Sequence, residues 1–259
     1  MQLTQLRNAT LIIEAGPHRV LVDPMLAPAG AIPPLKYATA RRRRNPLVGL
    51  PEGTDVRLRT VTHCLITHCR KGHFDHLDRA GARWLRESRT PVYCMEDDAG
   101  FLRGKGLLVQ PLQADATQPF LGGRVTPVPC LHGRGLVGRM MAHGYGYHIE
   151  WPGEPSLYLA GDTLLTDTVR GHLREHRPAV TVVPAGGARF DLGGDIIMGR
   201  EAALQVARLS NGLVVANHLE ALDHCPVTRA ELREARDRAG LEQRLLVPED
   251  GATLDFGRS

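Results

Sequence analysis

The sequence lacks any long hydrophobic run. Of its 259 residues, 42% are hydrophobic and 23% are charged, as in ordinary soluble globular proteins. No stretch approaches the roughly 20 apolar residues that a membrane-spanning helix needs. The N-terminal segment MQLTQLRNATLIIEAG has neither a basic flank nor an apolar core of the secretory type. We therefore expect a cytoplasmic protein with no membrane partner.

Cysteine pairs of the CxxC type are also absent. The five cysteines are odd in number and irregularly spaced, which argues against a disulfide framework and against a cysteine zinc site. Lysine is scarce, since only three of the 32 basic residues are lysines and the net charge is +4. The arginines are spread along the whole chain, whereas a phosphate-binding face would cluster them. We expect no nucleic-acid partner.

One cluster of arginines is the exception. Arg41 to Arg44 lie in a proline-rich stretch, APAGAIPPLKYATARRRRNPLVGLP. Such a run is usually a solvated loop, but it could also form a basic flap beside an anionic substrate. It is also the feature that supports a nuclease as an alternative function.

Hydrophobic periodicity divides the chain into short strands and amphipathic helices. Strand patterns include ATLIIEA, HRVLVD, VTHCLITH, PVYCM, YGYHIEW, SLYLAGD, TVVPA and LVVAN. Helical spacing occurs within residues 73–88, 96–104, 166–177, 199–210 and 228–239. Two halves, roughly residues 1–124 and 125–259, each run several strands before their helices. The pattern predicts an α+β protein, one domain over residues 1–259, with two facing mixed sheets and helices packed outside them.

Histidines concentrate in the segment HCRKGHFDH at residues 68–76. It holds His68, His73 and His76 together with Asp75, whereas twelve histidines spread evenly over the chain would place fewer than one there. Imidazole and carboxylate are the ligands of zinc and similar divalent metals. The segment follows a strand and precedes a helix, so these side chains should lie at a sheet edge.

Three more candidate ligands follow strands far along the chain. They are His132 after RVTPVPCL, Asp162 after SLYLAG, and His218 after GLVVAN. Each alone could be a structural residue. Their shared position at strand ends, in addition to the cluster at residues 68–76, favours a joint metal site.

This order of residues resembles the metallo-β-lactamase fold. Asp23 in LVDP matches an aspartate that closes an early strand in that family, THCRKGHFDH matches its THxHxDH motif imperfectly, and LAGDT carries its GDT signature. The segments PCLHGRG, VPAGG and VVANHLEALDHC look most like the branch that contains L-ascorbate-6-phosphate lactonase and N-acylphosphatidylethanolamine phospholipase D. The resemblance covers nearly the whole chain and implies a four-layer αββα sandwich.

The resemblance also implies a ligand set for two divalent metal ions, Zn²⁺ first, with Mn²⁺ or iron as alternatives. One metal would be held by His68, His73 and His132. The other would be held by Asp75, His76 and His218, and Asp162 would bridge the two.

Two metals close together can share a water and lower its pKa. This implies a hydrolase in which metal-activated hydroxide attacks a small ester, lactone or phosphoester. Asp75 would orient that water and accept a proton, and Asp23 would accept a hydrogen bond from behind the ligands. His224 is a competing ligand or a hydrogen-bond donor to the transition state, or else a buried structural histidine.

The spacing of the first two histidines departs from the family pattern. His68 and His73 are five residues apart instead of two, and an alignment without gaps would place Lys71 where the first histidine belongs. We favour His68, because it directly follows the strand and because Gly72 could let the loop double back.

The stretched spacing motivates a second hypothesis, a metal-binding protein of the same fold without hydrolytic activity. Such a protein would be an iron-dependent oxygenase of sulfur compounds or a degenerate scaffold. Cys69 and Cys225 lie near the proposed ligands and could offer thiolates. We expect a small-molecule substrate; the arginines leave an anionic one open, and a homo-oligomer is also left open. The remaining histidines are expected at the surface or in packing: His18, His63, His143, His148, His172 and His176.

Overall fold

The computed structural model describes residues 1–36, 38, 42–70, 72–141 and 144–257. Its strands are β1 (Gln2–Arg7), β2 (Thr10–Ala15), β3 (His18–Val22), β4 (His63–Leu65), β5 (Pro91–Met95), β6 (Leu108–Leu112), β7 (Gln118–Phe120), β8 (Gly123–Pro129), β9 (Tyr145–Glu150), β10 (Leu157–Leu159), β11 (Val180–Pro184), β12 (Leu213–Asn217), β13 (Leu245–Leu246) and β14 (Thr253–Asp255). Its helices are α1 (Thr54–Leu58), α2 (Arg79–Ser88), α3 (Glu96–Gly104), α4 (Gly135–Met140), α5 (Asp167–His176), α6 (Arg200–Leu209) and α7 (Arg229–Arg238).

The strands form two mixed sheets of seven strands each. The first has the order β14-β1-β2-β3-β4-β5-β6 and the second β13-β12-β11-β10-β9-β8-β7. Antiparallel hairpins open each sheet, and β3 to β6 and β10 to β13 then run parallel. The carboxyl ends of these parallel strands lie at one edge of each sheet, and the predicted ligands follow β4, β10 and β12, with His132 after the antiparallel strand β8.

Apolar side chains hold the two sheets face to face. The central core draws on both sheets and includes Ile13, Val22, Phe120, Tyr147 and Val182, all at most 3% exposed. Burial of such side chains is the main driving force for folding. A second core lies between the second sheet and α5, α6 and α7, and a third lies under α2 and α3. The prediction of two mixed sheets flanked by helices is confirmed.

The predicted boundary between two halves at residue 124 is wrong, because one strand on each side of it belongs to the sheet of the other half. Strand β7 lies before that boundary but pairs with β8 in the second sheet. The reason is local, because Leu121 and Gly122 adopt positive φ and close a tight hairpin. Strand β14, near the end of the chain, returns to pair with β1 in the first sheet.

The helix predicted within residues 73–88 begins only at Arg79. The Asp78 carboxylate accepts a hydrogen bond from Gly81 N at 2.7 Å and so caps the helix there. Residues 73–77 form turns instead, which bring the histidines of this segment to the sheet edge. Short helices α1 and α4 were not predicted. The capping box at Thr228 and Glu231 is confirmed.

None of the helices in the described part of the chain is long and apolar enough to cross a membrane.

Candidate metal centre

The loop between β4 and α2 doubles back, and this brings two distant histidines together. Gly72 has φ of 85°, a conformation that glycine adopts without steric cost. As a result the rings of His68 and His73 lie with their centroids 4.4 Å apart, although five positions separate them in sequence. The predicted reversal at Gly72 is confirmed, and the longer spacing does not separate the two side chains.

Three histidines form the first ligand cluster. His68, His73 and His132 each offer a ring nitrogen, and these atoms lie within 4.8 Å of one another. All three side chains are buried. The Nε2 atoms of His68 and His73 have no hydrogen-bond partner in the described part of the chain. Buried polar atoms almost always have a bonding partner. These two nitrogens therefore indicate that a ligand binds between them.

Two carboxylates and two histidines form the second cluster: Asp75, His76, Asp162 and His218. Asp75 Oδ2 lies 3.3 Å from His218 Nε2 and 3.5 Å from His76 Nε2. All four side chains are buried. The cluster therefore concentrates negative charge where water is excluded.

Asp162 lies between the clusters. Its Oδ2 atom is 3.1 Å from His76 Nε2, 3.4 Å from His218 Nε2 and 3.7 Å from His132 Nε2. One carboxylate oxygen thus reaches histidines of both groups, which is the placement that a bridging ligand requires.

Acceptors behind the site fix the orientation of the rings. His76 donates from Nδ1 to Asp23 Oδ2 at 2.8 Å, His132 to Ile196 O at 2.7 Å, and His73 to Arg70 O at 2.5 Å. Because these partners only accept, each Nδ1 carries a hydrogen, and in the neutral ring each Nε2 directs its lone pair to the centre.

The remaining two rings follow the same pattern with weaker partners. His68 Nδ1 contacts Thr67 Oγ1 at 3.1 Å, and His218 Nδ1 contacts Cys225 Sγ at 3.5 Å. All five imidazoles therefore have Nδ1 occupied from behind, as metal-ligating histidines usually do.

Asp23 lies behind the clusters, and its predicted role in supporting the ligands stays a prediction. It accepts hydrogen bonds from His76, from Thr67 N at 2.8 Å and from Thr67 Oγ1 at 2.6 Å. Asp23 and His218 have φ of 45° and 58°, which is uncommon for residues other than glycine. Backbone strain of this kind persists only where the surrounding structure holds the residue in place, and it is common at functional sites.

The two clusters differ in their electrostatics. Burial, and then its histidine neighbours, hold the pKa of His68 well below its ordinary value, and burial lowers the pKa of His132 to about 4. Burial also lowers the pKa of His76 and His218, but the carboxylates, Asp162 first, outweigh it and raise both pKa values. The second cluster thus favours a positive charge, and the first favours neutral imidazole.

These residues fit divalent metal ions. Five imidazole nitrogens and two carboxylates are the donor set of zinc, manganese and iron sites. The unpartnered Nε2 atoms and the excess of negative charge around Asp162 are what a bound cation would satisfy. The structure brings all seven predicted ligands together, and their role as ligands stays a prediction.

Other residues singled out from the sequence lie beside the clusters or outside them. His224 is buried and stacks on Phe190, and neither it nor Cys69 or Cys225 belongs to either cluster of described residues. Lys71, Arg41 and His143 lie outside the described residues.

Asn8 contacts the second cluster, and sequence reasoning did not single it out. Its backbone oxygen accepts from His218 N at 2.9 Å, and its Nδ2 lies 3.4 Å from Asp75 O and 3.3 Å from His218 Nε2. It adopts φ of 55° in the turn between β1 and β2. The sequence signals only an asparagine turn there, because the contact with residues 67 and 210 positions away depends on tertiary packing.

A pocket of about 330 Å³ opens over the clusters. Its lining includes the cluster residues His73, Asp75, His132 and Asp162, and also Leu35, Gly72, Phe74, Met141, Phe190, Ile196 and His224. The part of the wall away from the clusters is therefore mainly apolar.

Comparison with known proteins gives the family. Residues 18–219 match the family described as "Beta-lactamase superfamily domain". The chain is 32% identical to the UPF0173 protein YddR of Bacillus subtilis (strain 168), over 99% of this chain and 100% of that protein. The chain belongs to the UPF0173 family of this superfamily.

Two further similar proteins bear names that state an activity. A UPF0173 metal-dependent hydrolase of Azorhizobium caulinodans is 30% identical over 84% of this chain and 85% of its own length. The crystal structure of an isothiocyanate hydrolase from Delia radicum gut bacteria is 32% identical, covers 100% of both chains and superposes with a TM-score of 0.89.

The predictions of the metallo-β-lactamase fold and of a metal-dependent hydrolase are confirmed at the level of this family. The branch with L-ascorbate-6-phosphate lactonase and N-acylphosphatidylethanolamine phospholipase D stays a prediction.

Proposed function

We propose that this protein hydrolyses small isothiocyanates, with two zinc ions held by the two clusters. The pocket carries the proposal. None of its described lining residues is an arginine or a lysine, and five are large apolar side chains: Leu35, Phe74, Met141, Phe190 and Ile196. A neutral electrophile with an apolar substituent fits such walls better than a phosphoester, whose charge would lack a basic partner. Full-length similarity to an isothiocyanate hydrolase supports the same choice.

His68, His73 and His132 would hold one ion, Asp75, His76 and His218 the other, and Asp162 both. Zinc in this setting supplies Lewis acidity and a water of lowered pKa. The chain's own residues supply the rest: apolar walls exclude bulk water, and Asn8, Asp23 and Cys225 keep the ligands in place.

Asp75 is the carboxylate positioned to accept a hydrogen bond from the attacking water. Its carboxylate lines the pocket, and the His76 and His218 imidazoles outweigh burial and hold its pKa well below the ordinary range, so that it stays ionised. We propose that Asp75 orients the attacking water. His224, which lines the pocket and stacks on Phe190, is placed to donate a hydrogen bond to the substrate.

The overall reaction consumes one water. Its oxygen bonds to the central carbon of the N=C=S group and its hydrogens go to nitrogen and sulfur, which gives a thiocarbamic acid. Breaking the C–N bond, with transfer of the sulfur-bound proton to nitrogen, then releases a primary amine and carbonyl sulfide.

The test is turnover of benzyl isothiocyanate by the zinc-loaded protein, measured as benzylamine released. We expect turnover that stops on chelation and returns with zinc. Asp75→Ala should lower kcat by about 10²–10⁴-fold, the usual cost of losing one oriented acid–base group.

Asp55→Ala is the matched control, because Asp55 is an exposed carboxylate that pairs with Arg59 on α1, away from the pocket. It should leave the rate unchanged. Normal turnover by Asp75→Ala would refute the assigned role of Asp75. Efficient cleavage of a lactone, ester or phosphodiester with benzyl isothiocyanate left intact would refute the proposed substrate.

The cytoplasmic location, the single domain over residues 1–259, the absence of a nucleic-acid partner and a homo-oligomeric assembly stay predictions.

A further inference from the structure

A second cavity adjoins the catalytic pocket. It has a volume of about 590 Å³ and is lined by Ala27, Ala31, Ile32, Pro33, Arg44, Phe74, Asp78, Arg79, Ala80 and Arg83. Phe74 lines both cavities, and Leu35 of the catalytic pocket follows Ile32 and Pro33 of the second one in sequence. One side chain and one loop therefore form a common wall. We call the second cavity the arginine cleft.

The walls of the arginine cleft are apolar, but its charged groups are mostly cationic. Arg79 and Arg83 lie one turn apart on α2 and are exposed. Within the described part of the chain, neither guanidinium forms an ion pair or a side-chain hydrogen bond. Arg44 donates instead to the backbone oxygens of Gly30 at 2.6 Å and Ala31 at 3.0 Å.

The one carboxylate in the arginine cleft is already engaged. Asp78 accepts from Ala27 N at 2.6 Å and from Gly81 N at 2.7 Å, and its side chain is buried. It therefore caps α2 and fastens the loop at residue 27, and it is not available to pair with Arg79 or Arg83. The lining of the arginine cleft thus has three guanidinium groups and one carboxylate that is already hydrogen-bonded. Its net charge is therefore positive.

A cavity that has apolar walls and two free guanidiniums, next to the catalytic pocket, fits an apolar chain that ends in an oxyanion. Guanidinium binds carboxylate through paired, charge-assisted hydrogen bonds. We propose that the arginine cleft binds the distal end of the substrate, and that preferred substrates carry a carboxylate on the substituent remote from the reacting group. This inference rests on the proposed function, since it extends the same substrate beyond Phe74.

The test compares 6-isothiocyanatohexanoate with hexyl isothiocyanate, which differ mainly in the terminal carboxylate. For the zinc-loaded wild type, we expect a lower KM for the acid. The double variant Arg79→Ala/Arg83→Ala should raise the KM for the acid about tenfold, leave the KM for hexyl isothiocyanate within about twofold, and leave kcat unchanged. Arg86→Ala, on the same helix but outside the lining of the cleft, should behave as wild type.

A binding measurement separates failure of this inference from failure of the proposed function. Calorimetry with 6-phenylhexanoate, an acid that cannot be hydrolysed, should show binding to the wild type and about tenfold weaker binding to the double variant. An unchanged KM for the acid in the double variant, with both substrates still turned over, would overturn the arginine cleft alone. Hydrolysis of neither substrate would overturn the proposed function. Equal binding of 6-phenylhexanoate by both proteins would then overturn the cleft as well.

Discussion

At the scale of single residues, the position of His68 is the feature of the site that the sequence left most open. The stretched spacing suggested that Lys71 could take its place, yet the His68 ring lies 4.4 Å from His73 and 5.3 Å from His132, measured between centroids. Gly144 packs so closely on this ring that a Cβ there would come within 2.8 Å of His68 Cβ. The surroundings thus hold the imidazole in one place.

Replacing His68 tests this placement. His68→Ala should lose one of the two metals, as His132→Ala should, because each change leaves two imidazoles and a bridge where zinc prefers four ligands. We expect zinc affinity at that site to fall more than about 100-fold, beyond the loss typical of a residue behind the ligands. Zinc titration followed by elemental analysis measures it.

Two further variants serve as references for the His68 experiment. His63→Ala, on strand β4 before His68 and outside both clusters, should keep full metal content. If His68→Ala keeps both metals while Lys71→Ala changes activity, the alignment without gaps is correct.

At the scale of the elements, a second group of histidines joins α5 to the second sheet. His148 Nδ1 lies 2.8 Å from His172 Nε2, and the His172 ring stacks on His176 with centroids 4.4 Å apart. Tyr158 of β10 completes the packing. Burial first, and then His148 and His176, lower the pKa of His172 to about 3. The prediction that these histidines serve in packing is therefore consistent with their contacts.

This packing makes stability depend on pH. His172 stays neutral in the folded protein down to about pH 3, whereas in the unfolded chain it takes up a proton near pH 6.5. Its stabilisation is therefore complete above about pH 6.5 and is lost as the pH falls towards 3. Between pH 7 and pH 5 the free energy of unfolding of the wild type should decrease. In His172→Gln this decrease should be smaller by about 1 kcal/mol.

Urea unfolding at both pH values, with zinc at the same saturation, measures the difference. Glu175→Gln, on the exposed face of the same helix, is the control and should keep the wild-type dependence. An equal pH dependence for wild type and His172→Gln would contradict the argument.

At the scale of the whole molecule, the metal centre joins the two sheets. The segment after β4 of the first sheet supplies His68 to His76, and the segments after β8, β10 and β12 of the second sheet supply His132, Asp162 and His218. Bound metal would therefore stabilise the contact between the sheets by the free energy of binding to the folded state.

Two metals per chain is the expected stoichiometry. Native mass spectrometry of the zinc-saturated protein should show both, and chelation should lower Tm, since metal present at 1,000 times its Kd stabilises by about 4 kcal/mol. At most one zinc per chain in excess metal, or a Tm that chelation leaves unchanged, would contradict the paired site.

The sequence by itself determined most of the elements and the identity of the polar residues that end them. Strand and helix periodicity, the capping box at Thr228, and the positions of His132, Asp162 and His218 after strands are local properties, because they depend on neighbours along the chain. The order of these residues was enough to indicate the family and its fold.

Only the tertiary structure decided which residues meet. The return of β14 to β1, the contact of Asn8 with His218 and the cleft beside Phe74 all join segments whose distance in sequence carries no signal. Such contacts depend on how two sheets pack and which strand ends coincide, and packing is set by the summed burial of the whole core. A local sequence pattern therefore identifies the candidate residues, and the tertiary structure determines which residues they contact.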